Sequence, residues 1–244
     1  MTADPVLAAI RLTTQLNARL WSTDSTPPAS PEVTAHLVIG DDAAHHVIDP
    51  ESRLGLDPLH ANELSAALSA AVLLEPTGWV LVLPRPGHLG ELRGPAATNT
   101  AALAAGAVVV SRTAGAAWVP TVVGAAVQWT VQVATAPADP PAPADAERAL
   151  SEALVAATHT LEELEVAGGA RPGTPGQVRL PKAYGQRRQH ALDRALLLHQ
   201  ACAAALEEDG SALSSFEMER RRTALTPLLG LTSDVVVAAC STPP

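Results

Sequence analysis

Two arginines and a histidine, Arg85, His88 and Arg93, sit close together in the stretch LVLPRPGHLGELRGP, residues 81–95. Guanidinium groups present paired N–H donors that match a carboxylate or a phosphate, and an imidazole adds a partner that titrates near neutrality. Gly87, Gly90 and Gly94 between them leave room for a ligand to approach the backbone. Their spacing is not GxGxxG, and no Lys-Ser/Thr pair follows, so neither a dinucleotide fold nor a P-loop is expected. The competing account is a rigid crossover from strand to helix whose arginines bond backbone carbonyls. Both accounts stay open on the residues alone.

Other clusters carry less. His36, His45, His46 and Asp49 would share one face of a hairpin if residues 33–39 and 45–48 paired as strands, and could then hold a zinc or an iron. A slip of one residue would part the two outer histidines, and solvated edge residues are the simpler account, so no metal is expected. Arg220, Arg221 and Arg222 fan through about 200° of a helix and cannot form one stripe; a solvated face is expected. No GxSxG and no Ser-His-Asp order is present. His159, Glu162 and Glu163 share one helix but match no zinc-enzyme pattern, and Glu207, Glu208 and Asp209 read as a helix end. Cys202 and Cys240 lack an activating context and read as small buried hydrophobes in a reduced compartment. No catalytic residue and no cofactor is expected, which leaves an enzyme without support in the sequence.

The elements that must position these residues follow from periodicity and punctuation. Asp4-Pro5 starts a helix with a stripe of Val6, Ile10, Leu12, Leu16 and Leu20, followed by a linker at Ser22–Pro31. Residues 33–39 and 45–48 are expected as a strand hairpin, 57–74 as a helix, and Trp79–Leu83 as the strand that enters the loop. Ala96–Ala105 is expected as a helix ended by Gly106, then strands at 108–110, 118–123 and 127–133. In the last, Val127, Trp129, Val131 and Val133 alternate with Gln128, Thr130 and Gln132. APADPPAPA, residues 136–144, then breaks any regular element. Beyond it come a helix from Asp145 with a seam of Leu150, Leu154, Ala157, Leu161 and Leu164, a Pro/Gly loop at 168–181, and a helix over 182–206. A capping box at Ser214–Glu217 opens another helix; Pro227 is expected to end or kink it, with Ser233 or Asp234 capping a last one.

The expected fold is α+β: a mixed sheet of five or six strands with packing helices over residues 1–135, the linker 136–144, and a helical bundle module at 145–244. With 48 alanines and only six aromatic residues among 244, the core must rest on Ala, Leu and Val with close backbone approach. A net charge of −9 argues against a nucleic-acid partner. The first residues lack the pattern of a signal peptide, and no apolar run is read as a bilayer span, so a cytoplasmic protein without a membrane partner is expected.

The segment from Val80 to about Val123 resembles an actinobacterial protein family with no known activity. The matching residues are Leu83-Pro84, Pro86-Gly87, Gly94-Pro95, Asn99, Ala102 and Ala105-Gly106, and the helix bearing Glu217 and Arg220-Arg221 is similar. His88 and Thr98 depart from the family's pattern, which has an acidic and an aromatic residue there. The resemblance supports the architecture and adds Asn99 to the candidate ligand residues Arg85, Gly87, His88 and Arg93. Two functions follow: foremost a non-catalytic interaction or scaffold protein, with a protein partner or a homo-oligomer; alternatively a binder of, or enzyme on, a small phosphate or carboxylate at loop 84–95.

Overall fold

The computed structural model of the chain describes residues 2–21, 28–163, 176–207 and 215–243. The fold is α+β, with a six-stranded mixed sheet and a separate helical unit. One compact unit takes residues 1–140, 178–185 and 240–244; the other takes 141–177 and 186–239. Residues 22–27 of the first linker, Leu164, residues 168–175 of the Pro/Gly loop, Glu208, Asp209 and Ser214 lie outside the described residues.

In the first unit α1 (Pro5–Leu20) starts where its punctuation requires. An Asp4 carboxylate oxygen accepts from the N–H groups of Val6 at 2.8 Å and Leu7 at 3.2 Å, and Pro5 occupies the first turn. The next segment corrects the expected hairpin: Pro31–Ile39 is a helix, α2. Ser30 caps it through the Val33 N–H, and Pro31 opens it. Its β-branched residues are overridden because Thr34, Ala35 and Val38 then fall on one buried face, and the helix packs against α1 and α3. Strand β1 (His45–Ile48) therefore pairs elsewhere, in parallel with β6.

The expected helix over 57–74 is also shorter. Asp57 folds a turn on itself, its carboxylate accepting the Leu59 N–H at 2.8 Å. Asn62–Glu63 then forms β2 against β1, and α3 runs only from Leu64 to Leu74. Strands β3 (Trp79–Val82), β4 (Val108–Ser111), β5 (Ala116–Val123) and β6 (Ala126–Val133) lie where the periodicity places them, and α4 (Ala96–Ala105) ends on Gly106 at φ +73°.

The strand order is β2-β1-β6-β5-β4-β3, antiparallel except for β1 beside β6. One sheet face carries Val80, Val82, Val108, Val110, Ala117 and Val119, covered by Ala102 of α4 and by Leu92. The opposite face carries Trp79, Trp118, Trp129 and His45. Their rings meet edge to face at centroid separations of 6.3, 6.3 and 6.0 Å, and all are buried. Three of the six aromatic residues thus fill the space that small side chains leave under α1 and α3.

Edge strand β3 is closed by side chains rather than by another strand. Asn17 of α1 donates to the Trp79 carbonyl at 2.9 Å and accepts its N–H at 2.8 Å, while Ser241 Oγ accepts the Leu81 N–H at 2.9 Å. This removes the open edge that would otherwise invite pairing with another chain.

The helical unit holds α5 (Pro143–Glu163), α6 (Gly185–Glu207) and most of α7 (Ser215–Ser241). Residues 182–184, expected within α6, form a separate 3-10 turn before Gly185. Leu150 and Ala157 of the seam are buried on α5, with Leu192, Ala195 and Cys202 on α6 and Leu225 and Leu228 on α7. An Arg187–Glu147 ion pair at 3.6 Å joins α6 to α5, and a His199–Thr232 hydrogen bond at 3.1 Å joins α6 to α7. Helix α7 corrects the expected break: it runs unbroken through Pro227, and Ser233 caps nothing. The Thr232 and Ser233 hydroxyls donate back to the Leu229 carbonyl, at 2.9 Å each, as hydroxyls do inside a helix.

Read as one helix, Glu217–Ser241 is long and apolar enough to cross a membrane by length and composition, which the expected break had hidden. The share of its apolar window buried inside the protein is 61%, as in a core helix.

Candidate functional site

The loop from β3 to α4 is built around a tight turn. The backbones of Arg85 and His88 exchange hydrogen bonds at 2.9 and 2.8 Å around Pro86-Gly87. Gly87 lies at φ +80°, the value that the third position of a type II turn demands, with proline before it. His88 Nδ1 accepts the Gly90 N–H at 2.9 Å, leaving its Nε2 edge toward solvent. Leu92, 3% exposed, pins the far arm into the core under α4. The carbonyls of Glu91 and Gly94 accept N–H groups from Ala138 at 2.8 Å and Thr135 at 2.9 Å, which stitches the loop to the chain after β6.

The restraint inferred from the sequence is therefore real, and the loop lies at the surface. His88 and Arg93 are exposed, and Arg85 is half-buried. Among the described residues the Arg85 guanidinium has no partner, and Arg93 makes one long contact of 3.4 Å to the Leu92 carbonyl. Asn99 lies in the first turn of α4, which has no side-chain cap; its amide oxygen is buried without a hydrogen bond. Thr98, the other departure from the family's pattern, anchors α4 by donating to the Val133 carbonyl at 2.7 Å. The turn brings Arg85 and His88 opposite one another; among the described residues no hydrogen bond or ion pair joins either to Arg93 or Asn99.

The histidine cluster is dispersed. His36 is exposed on α2, His46 is exposed on β1, and His45 is buried on the opposite face of that strand. Asp49 is buried and accepts the N–H groups of Arg53, Leu54 and Leu56 at 2.7, 2.8 and 3.3 Å, closing the turn after β1. Among the described residues no group of three His, Cys, Asp or Glu could hold a metal ion. Of the three arginines of α7, Arg221 is 8% exposed while Arg220 and Arg222 face outward.

Two polar constellations were not visible in the sequence. Glu75, buried at the end of α3, accepts from the N–H and hydroxyl of Thr77, the Gly78 N–H, the N–H and hydroxyl of Thr113, and the Ala114 N–H. Burial by itself would raise its pKa. The hydrogen bonds from Thr77, Thr113 and Ala114 outweigh burial and bring the carboxyl to about 2. Such a group clamps two turns together and cannot serve as a base near neutrality. One signal was available: a glutamate at a helix C-terminus opposes the helix dipole and needs another reason to be there.

The second constellation centres on His45. Its Nδ1 accepts the Trp129 indole N–H at 3.2 Å, and its Nε2 meets Asp42 at 3.0 Å. Asp42 in turn pairs with Arg11, whose Nε donates to the Val38 carbonyl at 2.8 Å. Burial lowers the imidazole's pKa more than the neighbouring Asp42 raises it. With both ring nitrogens engaged by protein groups, this His–Asp pair has no free edge for a nucleophile. Burial also raises the Cys202 thiol, away from the reactive thiolate.

Two further surfaces are apolar. On α2, Val33 and Leu37 sit one turn apart and are 51% and 49% exposed. In the helical unit, α5 and α7 leave a groove of about 440 Å³ floored by Ala153, Ala157, Thr223 and Ala224.

Two family models cover the chain: Rv1486c-like protein, N-terminal domain, over residues 17–147, and its C-terminal domain over 144–234. The chain belongs to the Rv1486c-like family. The family expected from the residues between Val80 and about Val123 is thereby borne out. No curated protein matches the chain, and no solved structure does. The two family domains meet in the first turns of α5, next to the Pro140 boundary of the sheet unit. Loop 84–95, the Glu75 clamp and His45, Asp42 and Trp129 fall in the N-terminal domain of the family, Arg11 lies before it, and the α5–α7 groove falls in its C-terminal domain.

Proposed function

We propose that this member of the Rv1486c-like family is a non-catalytic interaction module that docks a protein partner, either another chain or a second copy of itself, on the outer side of α2. The observation that carries the reading is the pair Val33 and Leu37, half-exposed at i and i+4, on a helix whose other side is fully packed. A helical partner grips such a pair with apolar side chains at the same spacing. The acidic net charge of −9 weighs against a nucleic acid as partner. Two buried cysteines, Cys202 and Cys240, neither in a disulfide, suit a reduced compartment such as the cytoplasm.

Replacing both residues in a Val33→Glu/Leu37→Glu variant leaves the buried side of α2 intact, so the thermal midpoint is expected to stay within a few degrees of wild type. The partner captured by the wild type, or its concentration-dependent self-association in sedimentation, should disappear. A variant that still captures or self-associates equally places docking elsewhere.

A second reading, a site for a small phosphate or carboxylate at loop 84–95, is favoured by two separate features: an Arg85 guanidinium with no partner among the described residues, and a start of α4 with no side-chain cap. Thermal-shift titration with phosphates and carboxylates tests it. Ligand at a hundredfold excess over Kd stabilises by about 2.7 kcal/mol. Arg85→Ala and Arg93→Ala are expected to abolish the shift; an undiminished shift in both removes this site.

A further inference from the structure

We propose that His45 is an acid-sensitive latch that ties α1, the turn between α2 and β1, and β6 together while its ring is neutral, and loosens them when the ring takes up a proton. The hydrogen bonds dictate the ring's state. Trp129 Nε1 can only donate, so His45 Nδ1 must accept, and the single ring proton lies on Nε2, where it is given to Asp42. The ring is wholly buried and stands edge to face with Trp129 at a centroid separation of 6.0 Å.

Adding a proton to Nδ1 sets two N–H donors facing each other across the 3.2 Å contact. It also places a second cation beside Asp42, whose charge already balances Arg11 from α1. The neighbours supply no further compensation. His46, next on the same strand, is another cation when protonated, and Glu63 of β2 registers opposite His46 rather than His45. Strand β6 offers the indole and no charged residue, and α3, which packs on β1, carries no charged residue either. Protonation therefore strains the bonds from Trp129 and Asp42, and with them the Arg11 grip on the last turn of α2. The latch stands whether or not α2 is a docking face.

The direction with pH follows. An unfolded histidine titrates near 6.5, and the folded ring resists the proton below that. Between those two values the unfolded chain binds a proton that the folded chain does not, so the latch contributes fully above about pH 6.5 and weakens as the pH falls. The experiment is denaturant unfolding of the full chain between pH 7.5 and 5, beside His45→Gln. A glutamine can accept from Trp129 and donate to Asp42 but cannot titrate. The wild-type unfolding constant should gain a component of up to about tenfold per pH unit below 6.5 that the glutamine variant lacks. Equal pH dependence in the two proteins overturns the proposal. Should the variant fail to fold, nitrogen NMR of the wild-type ring decides alone. A neutral Nε2–H tautomer persisting below pH 6 supports the latch, and a ring that titrates at 6.5 or above overturns it.

Discussion

Glu75→Ala is expected to destabilise the sheet unit by about 3–5 kcal/mol. The carboxylate gathers backbone N–H groups and hydroxyls from the turn after α3 and from the turn between β4 and β5. Removing it leaves the buried Gly78 N–H without an acceptor and takes the shared acceptor from the part-buried donors of Thr77, Thr113 and Ala114, a penalty larger than the loss of any one bond. Glu75→Gln keeps the shape but turns an amide donor toward other donors, and should cost about 2–3 kcal/mol. The acid limb of the stability curve separates charge from shape. The unfolded carboxyl titrates near 4.5 and the folded one at about 2, so the stabilisation is whole above pH 4.5 and drains away as the pH falls toward 2. With screening at the water-facing side of the turn, that charge-dependent part is about 2 kcal/mol. Wild type should show this slope in denaturant melts, and the glutamine variant should be flat across the window. Equal slopes in both would mean that the folded carboxyl is not held down.

Asn17→Leu is expected to cost about 2–4 kcal/mol, although leucine suits a buried helix position. The amide of Asn17 satisfies both backbone groups of Trp79 and also donates to the Cys240 carbonyl at 3.3 Å, which Tyr184 Oη reaches at 2.9 Å. Arg112 takes the next carbonyl, that of Ser241, at 3.1 Å. The last turn of α7 is thus held by three side chains of the sheet unit, and Ser241 returns the favour at Leu81. Cutting the chain after Ala239 should have the same sense and a larger effect. It removes the Ser241 hydroxyl, takes the Cys240 carbonyl away from Asn17 and Tyr184, and uncovers edge strand β3. Circular dichroism melts and light scattering should show a lower midpoint together with self-association through the exposed edge. A truncated chain that melts like wild type and stays monodisperse would show that the edge is sealed without its C-terminus. The N-terminal family domain, residues 17–147, contains neither this turn nor most of α1, so the same instability is expected of that piece made alone.

Wherever the deciding physics is local, the residues announced the structure. Asp4-Pro5 starts α1, Gly106 ends α4, and the alternation Val127, Trp129, Val131 faces β6 inward, because a cap, a left-handed residue and a two-residue period act within one turn of the chain. The stiffness of loop 84–95 was legible for the same reason, since Pro86-Gly87 admits few conformations. The placement of Arg85, Gly87, His88, Arg93 and Asn99 was not, because proximity in sequence says nothing of where a guanidinium points once Leu92 is buried between them.

Residues 30–39 show where local signals compete. Ser30-Pro31 asks for a helix and the β-branched run asks for a strand; burial of Thr34, Ala35 and Val38 against two other helices settled it. Pro227 illustrates the converse, a local breaker carried inside α7 because tertiary burial on either side outweighs one missing hydrogen bond. The sequence by itself determined the class of fold, the strands of the sheet from β3 to β6, and the family. Only the tertiary structure decided which polar groups meet. Asn17 lies 62 residues from Trp79, Glu75 lies 38 from Thr113, and His45 lies 84 from Trp129. Such pairs are chosen by the need to satisfy every buried polar group at once, a condition that exists only after the chain has closed on itself.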